Sequence, residues 1–290
     1  MAVTTSAGAP LPTEVVDTII QKAQEQSAIM AASVNQPVSA KTVEFPVITG
    51  DPDAFWTNEA ESKTVSEPTV GTKTMQIYKL ATIVPFSEEV ESDQSALYDA
   101  LVARIPAALG KKFDRTVFGY ETKPGDNFDQ FTSSPAIGYG SSAYDGIIAT
   151  DVAIAEADGT LNRFIASPKL RSKLLTEKDN ENRPLFVTSI ADPNAFGTIL
   201  GAPVQLSKNV YQAGTPNTLG VAGDFTHARY AILSALRIDR STEASLNLGT
   251  ASPISLFQNN LVAIRAEIRI GFIVDDPDYF VRITDATEES

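Results

Sequence analysis

Leu256-Phe-Gln-Asn-Asn-Leu-Val-Ala-Ile-Arg-Ala-Glu-Ile-Arg-Ile-Gly-Phe272 is the stretch on which the reading of the fold turns. Within it Ile264, Ala266, Ile268, Ile270 and Phe272 alternate with Arg265, Glu267, Arg269 and Gly271. A strict period of two sends the two sets to opposite faces of an extended chain, so this is one long strand with an apolar face and a charged face. Asp275-Asp276-Pro277-Asp278 then ends it with turn chemistry.

Upstream, the period changes. Leu97, Leu101, Ile105, Leu109, Phe113 and Val117 recur every fourth residue, which predicts a helix over 92–120 that Pro106 should bend. Two extended runs, Thr42 to Thr49 and Lys73 to Ser87, flank a polar stretch from Gly50 to Thr72 that holds few large apolar groups. That stretch is either a surface loop or a projecting two-stranded hairpin whose hydrophobic partner is another chain. The second reading is preferred, because a long polar connection inside a compact domain buries little and costs ordering entropy. Near the N-terminus, Thr13 as N-cap and apolar Val15, Val16, Ile19, Ile20 and Ala23 predict a short amphipathic helix. The middle of the chain mixes helix (Asp145 to Ala157; another opened by Ser167-Pro168) with strands (Arg163 to Ala166, Pro203 to Leu206, Arg229 to Asp239), separated by Gly- and Asn-rich turns. The fold class expected is α+β.

Composition removes several functions. The chain has 290 residues, no cysteine, one histidine, and 23 basic against 36 acidic side chains, a formal charge of −13. Disulfide frameworks, thiolate nucleophiles and cysteine metal sites are excluded. No signal peptide, glycosylation sequon or bilayer-spanning stretch is readable, and an acidic balance opposes phosphate-backbone binding as a main activity. His227, in Gly223-Asp-Phe-Thr-His227, reads as a turn histidine rather than a base. Gly138-Tyr-Gly-Ser-Ser-Ala143 is only superficially a dinucleotide fingerprint, since no apolar strand is seen to run into it. Asp51 and Asp53, and the cluster Asp275, Asp276 and Asp278, lack calcium-loop spacing and read as solvated turns. No cofactor and no metal are expected.

The order of arm, hairpin, long helix, α/β insertion and closing strand resembles the major capsid protein of tailed double-stranded DNA bacteriophages with the Hong Kong 97-like fold. Glu44-Phe-Pro-Val-Ile-Thr-Gly-Asp-Pro-Asp-Ala-Phe-Trp-Thr-Asn-Glu59 looks like that family's approach to its extended loop, and Lys79-Leu-Ala-Thr-Ile-Val-Pro-Phe-Ser87 looks like the return. Ser167-Pro168, Gly201-Ala-Pro-Val204, Gly223-Asp-Phe225 and the closing strand follow in the family's order. The resemblance implies an N-terminal arm (1–41), an E-loop with flanking strands (42–87), the spine helix and first part of a peripheral (P) domain (88–143), an axial (A) domain (144–253) and the closing P-domain strand with the C-terminus (254–290).

It further implies self-assembly into pentamers and hexamers of an icosahedral head, in the virion, built in the host cytoplasm and enclosing DNA without specific binding. A separate scaffolding protein, a portal and a decoration protein are the partners implied, with no membrane. An encapsulin nanocompartment shell protein and an acidic cytoplasmic α/β enzyme are the alternatives. Phe55, Trp56, Glu59, Lys63, Lys73, Arg265, Glu267 and Arg269 are the candidate inter-subunit contacts. Some family members form an autocatalytic isopeptide bond between subunits, and by motif position Lys73, Asn260 and Glu267 match its lysine, asparagine and glutamate. Such a glutamate needs a raised pKa, whereas Arg265 and Arg269 beside Glu267 should lower it. The other reading of the three is a surface lysine, a turn amide and a charge ladder.

Overall fold

The computed structural model describes residues 27–50, 52–59, 62–63, 65–67, 69–89, 104–140, 142–178, 181–183, 186, 197–247 and 253–286. The helix expected over Val15 to Ala23 and the first part of the one expected over 92–120 lie outside these residues.

In chain order the described elements begin with helix α1 (Ala28–Ala32) and strands β1 (Val34–Asn35), β2 (Thr42–Gly50), β3 (Thr69–Gln76) and β4 (Tyr78–Ser87). Helix α2 (Ile105–Val117), strand β5 (Ala136–Gly138), helix α3 (Ala143–Glu156), strand β6 (Arg163–Ala166) and helix α4 (Pro168–Thr176) follow. The last strands are β7 (Thr198–Ile199), β8 (Ala202–Leu206), β9 (Thr218–Gly223), β10 (Ala228–Ser241), β11 (Ser245–Leu246), β12 (Ile254–Ser255), β13 (Leu261–Val274) and β14 (Phe280–Thr284).

The strand read from 256–272 is β13, which lies at the centre of a four-stranded sheet in the order β1-β10-β13-β4. Its apolar residues Ile264, Ala266 and Ile268 meet Ile105 and Leu109 of α2, with Phe86 and Leu236 alongside. Pro106 stands in the first turn of described α2, where its missing N–H breaks no helical hydrogen bond. Beyond Ile270 the alternation fails, for Gly271 to Val274 are buried on both faces. The base of the β2-β3 hairpin covers the second face there, packing Phe45, Met75 and Ile77 against Ala231 and Ile273. The extended run expected from Lys73 to Ser87 is accordingly two strands, parted at buried Ile77, whose N–H donates to the Lys41 carbonyl at 2.8 Å.

The second sheet has six strands in the order β5-β14-β9-β6-β8-β7. On one face α3 and α4 bury Ile147, Leu170 and Leu174 against Phe164, Ala166 and Ile283. On the other, Phe225 and Phe280 join Phe131, Phe113 and Phe272 in a cluster shared with the four-stranded sheet, with Phe131 and Phe280 centroids 5.0 Å apart. Ser167 caps α4 by accepting the Leu170 N–H at 3.2 Å, as its place before Pro168 foretells. Sheet membership crosses the expected segment boundaries: β10 pairs along its length with β13, while β5 and β14 flank the sheet built by the middle of the chain.

The glycine-bearing stretch Thr218-Leu-Gly-Val-Ala-Gly223, expected as turns, is instead β9, buried at every position. A Cβ on Gly223 would stand 2.5 Å from the Tyr279 carbonyl oxygen, so glycine here serves close backbone approach. The expectation at Gly138 to Ala143 also needs correction, because short β5 does run into it and α3 does open from it. The arrangement still cannot receive a dinucleotide. Tyr139 is buried with its hydroxyl 2.9 Å from Thr150 Oγ1, and Glu177 Oε1 already accepts the Ala143 N–H at 3.1 Å.

Candidate functional site

The described residues that bear on the candidate contacts fall on two exposed features: the hairpin tip and the outer face of the four-stranded sheet. The tip extends beyond its anchored base. Trp56 is fully exposed, and Phe55, Val65 and Val70 are exposed with it. Ser66 Oγ accepts the Asp53 N–H at 2.7 Å and ties the tip across. Glu59 and Lys63 are exposed beside it. A solvated indole that no other described residue covers is the kind of apolar group that anchors interfaces.

Lys73, on β3, points back to the body, with its Nζ 2.9 Å from Asp129 Oδ2, an oxygen that also accepts the Val274 N–H at 3.1 Å. Arg265, Glu267 and Arg269 stand on the uncovered face of β13, in register with Ile83, Ala81 and Lys79 of β4. Lys79 Nζ meets Glu267 Oε1 at 2.8 Å, with Arg269 Nε 4.0 Å from the same oxygen. Arg265 turns the other way, onto Asp239 Oδ2 at 2.6 Å, and Arg237 reaches Asp239 Oδ1 at 2.9 Å. The result is a ladder of alternating charge across three strands. The hydrogen bond from Lys79, followed by the charges of Arg265 and Arg269, holds the Glu267 carboxyl below the usual range. Burial pushes the Asp239 carboxyl up, but the hydrogen bonds of Arg265 and Arg237 outweigh it and leave it lowered. Lys79, Arg237 and Asp239 were not singled out in the sequence; only the strand register shows them joining the ladder.

Asn260 has φ 51 and ψ 47, a left-handed turn into β13, and its carbonyl accepts the Glu88 N–H at 3.0 Å. An exposed asparagine is one of the few residues that adopts this conformation cheaply. Seven residue steps along the strand part it from Glu267, roughly 23 Å at about 3.3 Å each, so one chain cannot bring both to a common site. His227 has its Nδ1 3.1 Å from Asp275 Oδ2 and its ring stacked on Tyr279 at 4.5 Å, a packed turn histidine. Among the described residues no group of three His, Asp or Glu side chains is placed to hold a metal, and no helix is long and apolar enough to cross a membrane.

Among its described residues the chain shows an exposed hairpin tip and a charged sheet face, and no assembled reaction centre. Over residues 7–285 it matches the model of the phage capsid family, and it belongs to that family. It is 29% identical to the "Probable major capsid protein gp17" of Mycobacterium phage L5, across 92% of this chain and 87% of that one. It is 25% identical to the "Major capsid protein" of Staphylococcus phage 80alpha, across 94% and 84%. A solved chain from Microbacterium phage Oxtober96 shares the fold at TM-score 0.74 and 22% identity, over 89% of this chain and 90% of that one. One from Mycobacterium phage Adephagia does so at 0.75 and 19%, over 91% of each. The chain is a structural major capsid protein and not an enzyme; the matches support neither the nanocompartment shell nor the acidic enzyme.

Proposed function

We propose that this subunit builds pentamers and hexamers of an icosahedral tailed-phage head around double-stranded DNA, on a Hong Kong 97-like plan. In this reading residues 1–41 are the arm, 42–87 the E-loop, α2 the spine of the P domain, the six-stranded sheet with α3 and α4 the A-domain core, and β13 the closing P-domain strand. The observation that carries it is the hairpin: a base locked into the core by Phe45, Met75 and Ile77, and a tip whose exposed Trp56 and Phe55 no other described residue covers. Wrapping loops of this kind add contact area without enlarging the core, and many weak contacts let assembly errors dissociate while a closed shell stays locked. Phe55, Trp56, Glu59 and Lys63 make the tip contact, and Arg265, Glu267 and Arg269 the sheet-face contact. Scaffolding, portal and decoration proteins are its partners, and assembly takes place in the host cytoplasm before the head becomes part of the virion.

We further infer that the shell is held without covalent bonds. Lys73 is engaged by Asp129, and the lowered carboxyl of Glu267 is the opposite of what a proton-accepting glutamate needs. Expression of the full chain with its scaffolding protein, followed by sedimentation and electron microscopy, tests the shell reading. Closed particles are expected, and protein that stays monomeric under all assembly conditions overturns it.

A further inference from the structure

We propose that the concavity between α2 and the turn Lys208–Val210 is a binding site for phosphate groups of a nucleic-acid backbone. The cavity, about 200 Å³, is lined by Lys111, Arg115, Lys208, Asn209, Tyr120 and Tyr211. Three cations meeting in one hollow is a local reversal in a chain of net charge −13. Among the described residues neither Lys111 nor Lys208 has an ion-pair partner. The Arg115 guanidinium lies 3.7 Å over the Tyr120 ring, which orients its planar fork. Its Nε is buried without a hydrogen bond; Arg115 forms an ion pair with Glu121, whose Oε1 is 3.6 Å from that nitrogen and which also pairs with Lys112, so Lys111 and Lys208 carry the uncompensated charge of the hollow. The neighbouring Asp114 carboxylate is taken up by Ser27, the Ala28 and Ile29 N–H groups and the Asn209 amide rather than by a cation of the hollow.

The chemistry selects phosphate over a base. Tyr120 has a face taken by Arg115, and Tyr211 has Lys169 Nζ 3.9 Å over its ring and 2.7 Å from its hydroxyl, so neither ring is a bare stacking platform. A guanidinium fork with two mobile ammonium groups suits an anion with several charged oxygens, read without regard to sequence. Lys111 and Arg115 also lie on the side of α2 turned away from the four-stranded sheet, while the charge ladder lies on that sheet's far face. On this proposal the pocket side is the one that faces the enclosed nucleic acid. This inference rests on the capsid reading and gives the subunit its orientation.

Fluorescence anisotropy of a labelled duplex of about 20 base pairs, titrated with the full chain kept dilute and unassembled, between about 50 and 200 mM salt, tests it. The double variant Lys111→Gln/Lys208→Gln is expected to bind about tenfold more weakly and to lower the salt slope by about two, while Lys123→Gln/Lys178→Gln leaves both unchanged. Equal losses in the two variants overturn the proposal. So does displacement of the duplex by millimolar inorganic phosphate, which marks a free-ion site, or by oligoglutamate more readily than by unlabelled duplex, which marks a carboxylate partner. Sedimentation of the same samples under assembly conditions keeps the readings apart: particles without DNA binding strike only the phosphate site, and absence of particles strikes the shell.

Discussion

Four donors converge on the carboxylate of Asp114: Ser27 Oγ at 2.5 Å, the N–H groups of Ala28 and Ile29 at 3.0 and 3.3 Å, and Asn209 Nδ2 at 3.0 Å. One side chain thus caps α1, pins the beginning of the described chain to α2 and holds the 208–210 turn. Asp114→Ala leaves these buried donors without an acceptor and is expected to cost about 3 kcal/mol, read as a lowered urea midpoint with an unchanged slope. The charge ladder answers to acid. Glu267, lowered chiefly by Lys79, and Asp239, lowered on balance by its two arginines, titrate below their unfolded values. Their contribution is present above the unfolded carboxylate range and is lost as pH falls through the lower folded values. Asp239→Asn with Glu267→Gln should therefore cost under about 1 kcal/mol at pH 7, and the cost should shrink as pH falls below the ordinary carboxylate range, as followed by urea midpoints across that range. Asp114 has the opposite sign: burial raises its pKa against its four hydrogen bonds, so its contribution falls as pH rises through that raised value.

The joint between hairpin and sheet depends on Gly271. A Cβ there would stand 2.9 Å from both the Gln76 carbonyl oxygen and Ile77 Cδ1. Gly271→Ala is expected to cost about 1–3 kcal/mol and to speed hydrogen exchange at the Ile77 amide, since the hairpin base must lift to admit the methyl group. The hairpin tip obeys a different rule. Trp56 is fully exposed among the described residues, so with Trp56→Ala the melting temperature of the isolated subunit should hold while particle yield in sedimentation falls at least tenfold; unchanged yield would remove Trp56 from the interface. These elements also mark how far the pattern of residues could be followed. Alternation from Ile264 to Ile270 named β13 because one face there is covered and the other open. It failed from Gly271 onward because the hairpin base, remote in sequence, closes the second face. Thr218–Gly223 carried no strand signal, since a strand buried on both sides shows no alternation and its glycines look like turn residues.

At the scale of the whole molecule, the described residues join a four-stranded and a six-stranded sheet through a shared aromatic cluster, with the hairpin tip and the ladder face exposed. Non-covalent assembly predicts that boiled, denatured particles run as a single 31.0 kDa band in electrophoresis, and a ladder of covalent multimers would overturn it. The candidate contacts were partly legible in the residues: Phe55 and Trp56 in a polar stretch, and the Arg-Glu-Arg face of β13. Their partners were not, because Lys79, Arg237, Asp239 and Asp129 come from other strands and loops, brought near only by register. By itself the sequence determined the mixed α+β class, the long closing strand, the N-cap at Ser167, the hairpin and the family resemblance, all of which rest on local periodicity, caps or short strings. Only the tertiary structure decided which strands share a sheet, that Glu267 pairs with Lys79, and that Lys111, Arg115 and Lys208 meet in one hollow. Those facts depend on the approach of segments up to 188 residues apart, as Lys79 and Glu267 are, and a contact between distant segments leaves no period in either one.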